Sequence, residues 1–547
     1  MIKYYLNILV QIYQIKNGGG AYMRLVSPER IARIDSFAAE HLNISATELM
    51  KRSAEAIAGQ VRLLCPEGGS ALILAGAGNN GADGYAAALL LPEYKIHVID
   101  MLGRGQRSPE GSYYLELCKS ADIPITVYDG SKAVSDLFRD ADIIIDAILG
   151  AGARLPLCEP LISVCRMIEQ SPAKRLAVDI PLGVDAKSGE MMSCAPRFDV
   201  TLSLCLTKTG AATYPARERA GKIVSFGIGL FSDKGEALYS ELSPIAEDKY
   251  TLVEPTDAAA LLPKRGENTS KGSFGRLAVI AGSREYGGAL LLSLGGALRA
   301  GAGYVTCYSE EENRALILTK YPEVIFKKTP SLAQISDSEI AELSADLSRA
   351  SAILIGPGLG KSAGLSRLLY ALMEKKGPPL IIDADAINIL AEDIQRASIA
   401  IKSSPRLLIF TPHPLEFARL SGKTAEDVQR RRLPLAEELA SKLGAIVVLK
   451  GAGTVITDGS RVMINSSGSS ALSKAGSGDV LAGVIASLIA SSEDDPMGLC
   501  ALAVYVHGRA GDILQGTRST LGVIPSELPD GVALALAELQ NNALPVQ

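Results

Sequence analysis

The sequence predicts two α/β domains in series, each built on a largely parallel sheet covered by helices on both faces. Three observations carry that expectation. A chain of 547 residues exceeds what one ordinary core holds. Short runs that are apolar at every position, not at alternate ones, suit parallel strands buried on both faces. These runs end in Gly, Asp or Pro, alternate with helix-like segments, and restart their rhythm halfway along the chain.

The opening stretch 1–22 is apolar and basic, but Asn and Gln interrupt it, it is too short to span a membrane, and no small-residue cleavage site is distinct. It is expected to be a disordered extension, with folding from Met23. Strand candidates then follow at "ALILAGAG" (71–78), "KIHVIDML" (95–102), "ADIIIDAILG" (141–150), "RLAVDIP" (175–181) and "VTLSLCL" (200–206), a doubly wound first domain over 23–235. Near 231–257 the rhythm lapses into charge and turn residues, so a linker is expected over 236–257 and a second domain over 258–547. Its strand candidates are "RLAVIAGS" (276–283), "AILIGPGLG" (352–360), "PLIIDADAINIL" (379–390), "LLIFTPHP" (407–414) and "AIVVLKGAG" (445–453).

Composition narrows the function classes. With 47% hydrophobic and 21% charged residues the chain is of the soluble globular type. A formal net charge of −5 and the absence of any Lys/Arg-rich run give no footprint for nucleic acid. Eight scattered cysteines without a CxxC pair and only four histidines argue against zinc and for free thiols in a reducing cytoplasm. Ligands are expected at the carboxyl ends of the strands, where the Gly, Asp and His residues gather.

The most informative stretch is "KAGSGDVLAG" (474–483). Glycines before a helix free backbone N–H groups for phosphate, yet Asp479 would repel an anion. Both fit side by side if Gly476, Ser477 and Gly478 form an anion hole and Asp479 acts as base toward an incoming hydroxyl in phosphoryl transfer. An N-cap role for Asp479 is the structural alternative. "GAGNNGADGYAAALLL" (76–91) follows a strand and opens a helix without G-x-G-x-x-G spacing, and its amide oxygens suit a cation or polar ligand. Asp179, at a strand end before Pro181, is a candidate general acid/base or a helix cap. "GPGLG" also reads as a tight turn, and His413 as a structural imidazole in a turn between prolines. Asp383 and Asp385 end a strand, read as caps of the next helix, and stay outside the expected site.

In order, "GSFGRLAVIAGSREYGGALLLSLGGALRAGAGYV", "GPGLG", "IDADAINIL", "TPHPLEFARL", "LKGAGT" and "KAGSGDVLAG" resemble the ribokinase-like superfamily, and within it the ADP- or ATP-dependent NAD(P)H-hydrate dehydratases, over roughly 265–540. That resemblance implies a ribokinase-like α/β/α second domain. Lys450, Gly451, Ala452, Gly453, Thr454 and Gly478 would contact the nucleotide, and Ala289, Gly358, His413 and Asp479 would line the hydrate pocket. ADP or ATP would be co-substrate, with Mg2+ accompanying it. "GAGNNGADG", "DAILGAGARLP" and "AVDIPLGVDAKSG" resemble the NAD(P)H-hydrate epimerases from about Met23 to residue 230, implying a Rossmann-like first domain. Here Asn79, Asn80, Gly81, Ala82 and Asp83, the loop of Gly150, Ala151, Gly152, Ala153, Arg154, Leu155 and Pro156, and Asp179 would meet the substrate. Asn80, Asp146 and position 182 would hold potassium. The family pattern has Ser where this chain has Leu182, so that position offers only a backbone carbonyl.

The resemblance implies a bifunctional, cytoplasmic, homo-oligomeric repair enzyme that interconverts R- and S-NAD(P)H hydrate and dehydrates the S-form at the expense of ADP or ATP, releasing AMP or ADP and phosphate. It implies no nucleic-acid or membrane partner. The alternative is a ribokinase-type small-molecule kinase with an N-terminal nucleotide-binding or scaffolding module.

Overall fold

The computed structural model describes residues 25–101, 106–232 and 236–543, so the expected extension over 1–22 and the start at Met23 lie outside the described residues. The chain forms two compact units that divide between Leu252 and Val253.

In the first unit the chain runs through β1 (Leu25–Val26), α1 (Pro28–His41), β2 (Gly69–Ala75), α2 (Asn79–Ala88), β3 (Tyr94–Asp100), β4 (Ile125–Val127), β5 (Ile143–Ala147), β6 (Lys174–Val178), β7 (Val200–Leu204), β8 (Thr207–Lys208) and β9 (Lys222–Phe226), among other helices. Seven strands make a parallel sheet in the order β4-β3-β2-β5-β6-β7-β9, while β1 and β8 pair separately. The strands are apolar throughout because both faces are covered: Ala71, Ile73 and Ala75 of β2 enter one buried cluster, and Leu72 and Leu74 the other. The sheet order reverses between β2 and β5, which opens a crevice at their carboxyl ends. The backbones meet so closely there that a Cβ on Gly76 would lie 1.9 Å from the Ile148 carbonyl oxygen.

After β10 (Tyr250–Val253), which crosses the division, the second unit runs through β11 (Arg276–Ile280), α3 (Gly287–Arg299), β12 (Tyr304–Ser309), β13 (Ile325–Lys328), β14 (Ala352–Ile355), β15 (Leu380–Ile382), α4 (Asp385–Ala391), β16 (Leu408–Phe410), α5 (Pro414–Ser421), α6 (Arg432–Leu443), β17 (Ile446–Leu449), β18 (Val455–Thr457), β19 (Val462–Asn465), α7 (Ser477–Ser491) and α8 (Pro496–Gly522). Its ten strands run in the order β10-β19-β18-β17-β16-β15-β14-β11-β12-β13. From β13 to β17 neighbours are parallel, and β18 and β19 extend the sheet antiparallel. The order reverses between β11 and β14, where the Gly282 N–H donates to the Pro357 carbonyl at 2.8 Å. The segment 236–257, expected as a linker, is folded: Leu242–Ala246 is helical, β10 joins the second sheet, and Leu242, Ala246, Tyr250, Leu252 and Val253 are buried.

Helix α7, which carries "GSGD", is fixed by contact with α3 through small residues. A Cβ on Gly483 would lie 2.0 Å from the Ser293 carbonyl oxygen, and one on Gly296 would lie 2.3 Å from that of Val480. Gly483→Ala therefore forces the helices apart, with an expected loss of about 1–3 kcal/mol in urea unfolding. An unchanged midpoint would contradict the packing.

Candidate active sites

In the first unit, three residues separate β2 from α2, whose first turn carries Asn80 and whose second turn begins with Asp83. Asn80 Nδ2 donates to the Leu149 carbonyl at 2.9 Å and to the Val178 carbonyl at 3.2 Å, tying the loops after β2, β5 and β6 together. Among the described residues no hydrogen bond reaches its amide oxygen. Asp179 follows β6 with φ +72°, a region that residues other than glycine seldom occupy and that gathers at functional sites. It is ion-paired with Lys208 at the end of β8, and the two side chains are 9% and 2% exposed. Lys208 also donates to the Leu204 carbonyl at 2.6 Å.

Two further carboxyls sense this pair. Burial, then repulsion from Asp179 and Asp35, pushes Asp83 well above the ordinary carboxylate range. Asp35, on α1, keeps contact with solvent, yet the protein packed around it, with Asp179 adding and Lys208 opposing, leaves it at about 6. Asp146, at the end of β5, is fully buried and accepts from the N–H of Leu182 at 2.9 Å and of Ile148 at 3.2 Å. Burial lifts it to about 7 against those two bonds. The Leu182 side chain packs in an apolar cluster with Ile144, Val164 and Phe198, so only its backbone faces polar groups. Arg154 folds back onto its own loop, donating to the carbonyls of Ala151 at 3.3 Å and Ala153 at 2.8 Å.

In the second unit the N-cap of α7 is Gly476, at φ +98°, and Asp479 lies in the first turn, so the N-cap reading of Asp479 does not hold. The Ser477 N–H, expected in the anion hole, donates to the Lys474 carbonyl at 3.2 Å. The first-turn amides that follow are those a helix leaves without an intrahelical acceptor. Lys450, at the end of β17, approaches this turn: a Cβ on Gly478 would lie 3.2 Å from its Nζ. Lys450 is held by Asp383 at 2.7 Å, and Thr411 Oγ1 donates to the same carboxylate oxygen at 2.7 Å. The reading of Asp383 and Asp385 as helix caps is thus corrected. Asp383 anchors the lysine, and Asp385, although in the first turn of α4, accepts from the Gly360 N–H at 2.8 Å, because the loop after β14 passes over that turn.

Charge around Asp479 is arranged from several strand ends. Burial most of all, then Asp383, Glu416 and Asp385, raise it while Lys450 opposes them, and the balance leaves it at about 7. Burial pulls Lys450 down, but Asp383, Glu416 and Asp479 outweigh that and hold its ammonium above the usual lysine range. His413 caps α5: its Nδ1 accepts from the N–H of Leu415 at 3.1 Å and of Glu416 at 3.2 Å. Its proton is thereby placed on Nε2, 3.1 Å from Glu416 Oε1. Gly358 and Ala289 come together, since a Cβ on Gly358 would lie 3.0 Å from that of Ala289. Thr454 Oγ1 closes the 450–454 loop by donating to the Gly451 carbonyl at 2.8 Å. Among the described residues no group of three or more His, Cys, Asp and Glu is arranged to hold a metal ion.

A family model described as NAD(P)H-hydrate dehydratase matches residues 277–532, and one described as YjeF-related protein N-terminus matches 46–210. A bifunctional NAD(P)H-hydrate repair enzyme of Thermofilum pendens is 32% identical over 95% of this chain and 97% of its own length. The chain belongs to the bifunctional NAD(P)H-hydrate repair enzyme family. Its relative of that name in Escherichia coli is 31% identical over 91% of each chain. The solved ADP/ATP-dependent NAD(P)H-hydrate dehydratase of Bacillus subtilis, co-crystallized with ATP/Mg2+, is 29% identical, with a TM-score of 0.46 over 52% of this chain and 97% of that one. Against the residues the family resemblance pointed to, the structure adds Lys208, Asp35, Asp383 and Glu416. The lone lysine within the apolar "VTLSLCLTKTG" was the signal for Lys208.

Lys208→Met would leave Asp179 buried without its cation, an expected loss of about 3–5 kcal/mol in urea unfolding at neutral pH. Adding Asp179→Asn should recover more than half of it. Strictly additive losses would show that the two side chains do not act as a pair.

Proposed function

We propose that the first unit interconverts the R and S epimers of NAD(P)H hydrate and that the second dehydrates the S-form with ADP or ATP. The observation that carries the reading is Asp479: a carboxyl poised near neutrality in the first turn of a glycine-led helix, beside a buried lysine. A base of that affinity can take the proton of a substrate hydroxyl at neutral pH. Lys450 and the first-turn amides meet the charge that develops on the transferred phosphoryl oxygens. The hydroxyl oxygen attacks the terminal phosphorus, and the nucleotide departs one phosphate shorter. Phosphate then leaves the ring carbon as the ring nitrogen's electron pair moves in, and loss of the proton on the neighbouring carbon restores the reduced nicotinamide. Mg2+ would accompany the nucleotide, whose own phosphate oxygens are hard ligands for it.

In the first unit, Asp179 is the general acid/base at the hydroxyl-bearing ring carbon, and Lys208 orients it. Asp83, whose protonated form burial favours, would serve as a hydrogen-bond donor. The donors around Asp146 suit potassium: the buried carboxylate, the Asn80 amide oxygen and the Leu182 carbonyl are all hard oxygens. That ion would supply positive charge for the substrate's anionic part. The free state of all eight cysteines supports a reducing cytoplasmic setting.

The absorbance of reduced nicotinamide, followed on mixed-epimer NADH hydrate with ADP or ATP in potassium buffer, tests both halves. Wild type should return nearly all the hydrate. Asp479→Ala should slow recovery about 10²–10⁴-fold, and Asp179→Asn should let it stall once the S-form is consumed. No recovery with either nucleotide would overturn the reading.

A pH profile examines the charge arrangement. With Asp479 near 7, dehydration should fall as pH drops below about 7, where the base is protonated. Asp383 is a negative neighbour that raises Asp479, so Asp383→Asn lowers it and moves the acid limb to lower pH, with a reduced kcat because Lys450 loses its anchor. An unmoved limb would contradict the coupling.

A further inference from the structure

Arg432 opens α6 and is 2% exposed, yet among the described residues no carboxylate pairs with it. Its Nη2 donates to the carbonyls of Leu449 and Lys450, each at 3.1 Å, and its Nη1 to the Gln429 side-chain oxygen at 3.1 Å. Its Nε is buried without a hydrogen-bond partner. Gly451, at φ +133°, lets the chain turn directly over the guanidinium, since a Cβ there would lie 3.0 Å from Nη1. Burial alone lowers its pKa, to about 10, which still leaves it charged at neutral pH.

A guanidinium without a counter-ion is an expensive way to satisfy two carbonyls, and a buried charge left uncompensated is destabilising. What the charge adds, which an apolar side chain could not, is a positive field under the 450–454 loop. That field is screened little at a buried position. Its natural complement is an anion bound on the other side of the loop.

We propose that Arg432 is a positioning residue that shapes the 450–454 loop and supplies the uncompensated positive charge by which that loop favours the phosphate-bearing part of an adenine nucleotide. The inference rests on the reading of this loop as a nucleotide site. Nucleotide affinity should then depend on Arg432 in proportion to ligand charge, while fold stability should not depend on its charge.

Calorimetric titration of the full chain with ADP, AMP and adenosine, together with thermal unfolding, tests this on wild type, Arg432→Met and Arg432→Lys. In Arg432→Met, ADP should weaken about tenfold or more, AMP by less, and adenosine by no more than about twofold. Its unfolding temperature should stay close to that of wild type, because removal of an uncompensated buried charge offsets the cost of the two carbonyls left unpaired. Arg432→Lys, which restores the charge without the fork, should recover part of the ADP affinity. Equal weakening of all three ligands, unchanged ADP affinity, or failure of both variants to fold would each overturn the inference and leave a purely structural arginine. Wild type that binds no ADP would overturn the nucleotide reading itself, and the inference with it.

Discussion

A buried aspartate held against a buried lysine, at the carboxyl end of a parallel sheet, is the interaction on which both units depend. Asp179 with Lys208 is almost fully enclosed, and Asp383 is buried against a Lys450 that is 15% exposed, so the aspartate charge would not be tolerated there alone. Beside each pair, burial raises further carboxyls, Asp35 and Asp83 in the first unit and Asp479 in the second, and the charges of the pair adjust that rise. The surrounding protein raises these groups toward neutrality and the lysine keeps the rise finite. A carboxyl placed in this way can both give and take a proton near neutral pH, which an exposed aspartate cannot do efficiently.

The sheets are what make such pairs possible. Where strand order reverses, the loops after two neighbouring strands touch at their base and run on to helices on opposite faces, so that strand ends and helix starts gather above that point. In the first unit this is the crevice beside β2 and β5, crossed by the Asn80 amide. In the second, the loops after β11 and β14 meet at Gly282, Gly358 and Ala289, and α7 is brought in by its close contact with α3. Apolar strands buried on both faces hold these ends rigidly, so the polar groups there cannot relax away from one another.

Much of this was legible in the sequence because it is local. Unbroken apolar runs marked the central strands, although each ends sooner than its run: "PLIIDADAINIL" divides into β15, ending at Ile382, and α4, starting at Asp385. The edge strands β4, β9, β10 and β13 are short or partly exposed and gave no such run. Asp479 was visible because glycines and carboxylate share one turn. Asp383, Lys208 and Arg432 were not, because their roles depend on partners 67, 29 and 17 to 18 positions away, as with Asp383 and Lys450, Asp179 and Lys208, and Arg432 with Leu449 and Lys450. Leu182 shows the converse. Its side chain, conspicuous in the motif, turns into the core, and its backbone N–H is what reaches Asp146.

The poised carboxyl is most directly tested by following the 13C carboxyl resonance of Asp479, assigned by difference against Asp479→Asn, across pH in the full-length protein without ligand. The burial of Asp479, with Asp383, Glu416 and Asp385 raising it and Lys450 opposing, predicts a midpoint near 7. A midpoint near the ordinary aspartate value of about 3.9 would contradict it and leave the second unit without its base.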